Sequence, residues 1–173
     1  MTSGRRADQL LLPANPFFIA LSLVGAFALN LVPLGWHAAA PDLLALVLVF
    51  WNVHQPRLVG IGWSFAFGLL MDVHEGAVLG QHALAYAVLG YAAVMMHRRL
   101  LWFGLAGQML QVLPLFLLGT LVALVVRLAV GGMFPGWTIL LAPLLQSLLW
   151  PLAAALLLAP QRRPPDPDKH RPL

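Results

Sequence analysis

Charge-free apolar runs about as long as a bilayer is thick recur along this chain, and nothing else limits its possible folds as strongly. Four are clear: Pro16 to Leu34, Val78 to Met96, Leu101 to Val126 and Thr138 to Ala159. At 1.5 Å per residue, about nineteen helical residues nearly cross a ~30 Å hydrocarbon core. Two further runs, Asp42 to Val53 and Leu58 to Met71, are short. They reach about fifteen or sixteen residues when extended back to Ala38 and Arg57, enough for a thinned bilayer; a re-entrant hairpin is the competing reading. The sequence therefore predicts an all-α membrane protein of about six transmembrane helices. Composition agrees, because 61% of the residues are hydrophobic and only 9% charged, where a soluble domain carries roughly 25% charged residues.

The few charges set a direction. With six spans, Arg5, Arg6, Arg57, Arg98, Arg99, Arg162, Arg163, Lys169 and Arg171 share one side and Arg127 alone lies on the other. That is the positive-inside pattern, so both termini are expected in the cytoplasm. It also accounts for the basic pI of about 10.7 without invoking nucleic acid, since the cations sit in short clusters between apolar runs. The expected organisation is a cytoplasmic N-terminus over 1–15, a six-helix transmembrane domain over 16–159 and a disordered, proline-rich cytoplasmic tail over 160–173. A signal peptide is the alternative for the first run, with Ala38 to Ala40 as a cleavage site. Pro41 as first mature residue and the length of the run speak against it. Trp36 and Trp137 are expected at the outer interface and Trp51 and Trp102 at the inner one, with Trp63 and Trp150 as packing residues.

Polar residues inside apolar runs are costly unless partnered. Asp42 follows Pro41 at the start of the second run, where a carboxylate favours a helix N-terminus. On the third run Gly60, Ser64, Gly68 and Asp72 recur at spacings of four, which lays small side chains along one helix side. Such a row lets another helix approach closely, either within the bundle or from a partner protein, with Asp72 at its outer end as a hydrated loop carboxylate or a hydrogen-bonding group. Gly76 and Gly80 signal a turn. Asp72, His74, Glu75 and His82 have the residue types of a metal or acid–base site, but a water-facing acidic loop explains them as well, and no metal ligand set, cofactor or catalytic residue is assigned. Gln108 and Gln111 share a face of the fifth run and are expected to bond inside the bundle. No nucleotide-binding glycine loop, nucleophile elbow or zinc-protease motif is present.

At Pro41-Asp42, at Pro56, along Gly68-Leu69-Leu70-Met71-Asp72 and along Gly80-Gln81-His82-Ala83-Leu84, the sequence resembles the rod shape-determining protein MreD family, proteobacterial members most closely. Phe134-Pro135-Gly136-Trp137 is similar to close members. The resemblance implies a non-enzymatic subunit of the bacterial elongation complex in the cell inner membrane. It implies work alongside the bitopic protein MreC, the glycosyltransferase RodA and a penicillin-binding transpeptidase, with the filament protein MreB as an indirect partner. It also implies a fold similar to the substrate-binding subunits of energy-coupling-factor transporters. Two other classes remain open on the residues alone: a solute-binding or transport subunit with an intramembrane ligand cavity, and an intramembrane enzyme.

Overall fold

In a computed structural model, which describes residues 15–32 and 40–161, the chain is helical throughout its regular structure. The helices are α1 (Pro16–Asn30), α2 (Leu43–His54), α3 (Ile61–Glu75), α4 (Gln81–Trp102), α5 (Leu105–Ala129) and α6 (Leu141–Leu158), the last preceded by a 3-10 turn over Trp137–Leu140. Most of the expected N-terminal segment, Trp36, and the tail beyond Gln161 lie outside the described residues.

Local chemistry sets the ends. Asn15 caps α1 by accepting from the Phe17 amide, with Pro16 at the first helical position, where its missing N–H costs nothing. Asp42 caps α2 by accepting from the Ala45 amide at 2.9 Å. Between α3 and α4 the expected turn is made by Gly76 at φ 61° and Gly80 at φ 104°, backbone that other residues rarely adopt.

Helices α2, α4, α5 and α6 pack side by side in a closed ring, with α1 set against α2 and α3 against α4. Helix α2 is the most enclosed element: every residue from Leu44 to Val53 except Val47 is buried. It runs antiparallel along the full length of α1. At one end Asn30 bonds Asp42; at the other, the rings of Phe18 and Trp51 meet edge to face at 6.2 Å. Apolar side chains also cover the outside, among them Phe17, Met133, Leu110 and Leu156, as a lipid-facing surface requires and a wet one does not tolerate. By length and composition two segments, Leu105–Ala129 and Trp137–Gln161, are apolar and long enough to cross a membrane, while α1 and α2 are shorter apolar helices.

Three expectations are corrected. Trp51 does not lie at an interface: it is fully buried, and its indole N–H donates to Ser22 Oγ at 2.8 Å. Trp63 is not a packing residue but 56% exposed, because α3 turns its small side chains at Ser64 and Gly68 inward and Trp63 lies beside that row. Of the two readings of Asp72, the hydrated loop carboxylate is the one overturned and the hydrogen-bonding group the one found: α3 continues a turn past Met71 to Glu75, so Asp72 is helical and only 1% exposed. Trp150 is buried as expected, and Trp102 and Trp137 are exposed.

Candidate functional site

The small-residue row on α3 meets α4. A β-carbon placed on Gly68 would lie 2.6 Å from the His82 carbonyl oxygen and 2.7 Å from the Ala83 amide nitrogen, so here two backbones touch. One turn further in, Ser64 is buried against Gly90 of α4 and accepts from Asn52 Nδ2 of α2 at 3.0 Å, which ties three helices together at one point. Gly60 caps the start of α3 beside Pro56, at the opposite end of the bundle.

Because α4 approaches so closely, its first turn reaches Asp72. One carboxylate oxygen accepts from the Gly80 amide at 2.8 Å and the Ala83 amide at 3.3 Å. The other accepts from the His82 amide at 2.7 Å and lies 2.9 Å from His82 Nδ1. Asp72 thus serves as the N-terminal cap of α4 from a neighbouring helix, since Gly80 has no side chain for the task. The far ring nitrogen of His82 lies 3.4 Å from Glu75 Oε2.

Asp42 is a second junction. Its Oδ1 accepts from Asn30 Nδ2 at 2.7 Å, its Oδ2 accepts from the Tyr86 hydroxyl, and its backbone carbonyl accepts from Gln146 Nε2 at 2.9 Å. One residue therefore joins α1, α2, α4 and α6. Tyr86 stands one turn after His82 on α4, ring centroids 6.1 Å apart, so both carboxylate clusters are organised along one side of that helix. Deeper in the bundle, Gln108 takes the Trp150 indole N–H at 3.0 Å and donates to the Phe103 carbonyl, whereas the buried Gln111 Oε1 has no partner among the described residues.

Members of both clusters line a half-open cavity of about 840 Å³ bordered by the same ends of all six helices. Asp42, Glu75, His82 and Tyr86 line it, together with His74 and Arg127. Arg127 makes no ion pair within 4.0 Å among the described residues, and neither those residues nor the turn beside them hold a cluster of three metal-ligating side chains. Of the motif positions, Pro41, Asp42, Gly68, Asp72 and Gly80 all gather at this end, while Pro56 lies at the other. Asn30, Tyr86 and Gln146 escaped the sequence reading. Asn30 and Gln146 each carry the signal of an amide inside an apolar run; Tyr86 carries none, since a tyrosine among alanines reads as packing.

A family model described as rod shape-determining protein MreD matches residues 13–159. A curated relative, the rod shape-determining protein MreD of Haemophilus influenzae, is 35% identical over 141 residues, which cover 78% of this chain and 85% of the relative. No solved structure matches the chain.

Proposed function

The chain belongs to the rod shape-determining protein MreD family, and from that premise we propose that it is a non-enzymatic subunit of the bacterial cell-elongation complex. In this reading it supports lateral peptidoglycan synthesis by holding partner membrane proteins: MreC, RodA and a penicillin-binding transpeptidase directly, MreB indirectly. The observation that carries the reading is where five buried or half-buried polar groups go. Asp42, Asp72, Asn52, Gln108 and Gln146 are each bonded to a group on another helix or at its end. They hold a bundle together and leave an apolar exterior for lipid and partner helices, instead of converging on one reacting point.

The same proposal includes a six-span topology in the inner membrane with both termini cytoplasmic. Two observations support it. Helix α2, though only 12 residues long, runs alongside the whole of α1, which supports reading it as a full partner of that helix in the bundle. The cavity collects the six helix ends that the charge bias assigns to the outside, while Arg57, Arg98 and Arg99 belong to the opposite ends. A fold akin to the substrate-binding subunits of energy-coupling-factor transporters belongs to this proposal as well.

The test is depletion of the protein in its own bacterium, with affinity purification of the intact protein from native membranes. Loss of rod shape and co-purification of MreC-like and RodA-like proteins are expected. Normal shape on depletion, or a preparation free of elongation proteins, refutes the reading. The cavity favours a second one, a solute-binding or transport subunit, which predicts that a small solute stabilises the purified protein.

A further inference from the structure

Around this cavity Asp42, His82, Tyr86 and Gln146 are bonded to other residues, whereas His74, Gln81 and Arg127 have no side-chain partner among the described residues and Glu75 has a single one. Glu75 is 47% exposed in its side chain and touches only His82, at 3.4 Å. Arg127 is exposed and unpaired among the described residues. Gln81 is only 9% exposed as a residue, and its amide, which keeps accessible surface on the cavity side, makes no hydrogen bond among the described residues. These three side chains line both the 840 Å³ cavity and an adjoining one of about 380 Å³, so they stand where the two meet. Opposite charges that face one space ordinarily pair, but no ion pair within 4.0 Å joins Glu75 to Arg127.

We infer that this cavity binds a zwitterionic group, its ammonium held at Glu75, its acidic group at Arg127, and the Gln81 amide hydrogen-bonding the ligand between them. A ligand with anionic charge alone would meet Glu75 and Asp42, and one with cationic charge alone would meet Arg127. Only a group carrying both signs satisfies all three side chains. The volume falls in the range of about 300–1,000 Å³ usual for small-ligand sites. Two sources share this chemistry. One is the phosphoethanolamine headgroup of an outer-leaflet lipid, for which Leu29, Val32, Leu124 and Ile139 in the same lining supply an apolar flank. The other is a free amino acid. The inference deepens the solute-binding reading by naming the ligand class and is independent of the partner-holding role.

The experiment uses the full chain, purified and delipidated in detergent, with thermal stabilisation as readout. The probes are glycerophosphoethanolamine, glycine, ethanolamine and glycerol phosphate. One of the two zwitterions should stabilise the protein, which identifies the source, while ethanolamine and glycerol phosphate at the same concentration should not. Glu75→Gln and Arg127→Gln should each weaken binding by about tenfold or more, as loss of a charged hydrogen bond does. Arg127 is exposed and unpaired among the described residues and Glu75 is about half exposed with one long contact to His82, so the unliganded variants should melt close to the wild type. Failure of both zwitterions to stabilise the wild type overturns the inference. So does equal stabilisation by a single-charge probe, or undiminished affinity in the two variants. A different solute whose effect survives both substitutions would overturn it while leaving the solute-binding reading standing.

Discussion

Gly68→Ala adds one carbon at the tightest point between α3 and α4, and its cost can be worked from the contact. The new carbon would sit 2.6 Å from the His82 carbonyl oxygen and 2.7 Å from the Ala83 amide nitrogen, and it would also press on the Ala83 Cα. All three atoms are backbone, so no side chain can rotate away. Restoring ordinary contact at about 3.4 Å with the carbonyl oxygen requires the helices to part by about 0.8 Å, and the Ala83 Cα, which lies closer still, demands more. The same parting would stretch the Asp72 bond to the His82 amide, now 2.7 Å, to about 3.5 Å, where a hydrogen bond is nearly lost. Overpacking of this kind costs about 1–3 kcal/mol, and weakening the Asp72 cluster adds to it, so about 3 kcal/mol is expected. Gly62→Ala, on the same helix with nothing within 4 Å of the new carbon, should stay within about 0.5 kcal/mol of wild type. Unfolding in mixed micelles, followed by fluorescence of the buried Trp51 and Trp150, measures both. Superposable curves for the two variants would refute the packing argument. Normal stability and abundance of the Gly68 variant would refute it equally, whatever became of co-purifying proteins.

Asp72→Asn keeps the shape but sets an NH2 group against backbone N–H donors, so it should cost about 2 kcal/mol or more in the same unfolding assay; a neutral result would show that the cap contributes nothing. Tyr86→Phe removes a single hydrogen bond to Asp42 and should be milder, about 0.6–1 kcal/mol, in line with other bonds between membrane helices. If it proved the worse of the two, the ranking of the two carboxylate clusters would be inverted. A reporter active only in the cytoplasm should work when fused after Arg163, and one active only outside should work within the turn from Gly76 to Gly80. A C-terminus found outside would make the number of spans odd and the topology wrong.

Much of the architecture was legible in the residues because it follows from short-range rules. Apolar runs marked all six helices, Asp42 after Pro41 marked the start of α2, and Gly76 and Gly80 marked the turn before α4. The Gly60, Ser64, Gly68 row announced a close approach, and the approach is there at Gly68 and Ser64. What periodicity could not supply is the identity of the neighbour. A row of small residues fits any helix, and only the packed chain assigns it to α4, with Asn52 of α2 reaching in at Ser64.

The carboxylates make the same point. Spacing alone left Asp72 as either a hydrated loop carboxylate or a hydrogen-bonding group at the helix contact, with Gly76 and Gly80 signalling the turn nearby. In the fold α3 holds one more turn, because the first turn of α4 presents three N–H groups that a side chain from elsewhere must satisfy. Asn30, Tyr86 and Gln146 likewise acquire their meaning from Asp42, which lies 12, 44 and 104 positions away in the chain. The amino-acid sequence by itself determined that this protein is helical and apolar on its outside, because solvation of each segment is decided within that segment. Which polar groups meet at the cavity was decided only by tertiary structure, because a buried hydrogen bond depends on where another helix places its partner.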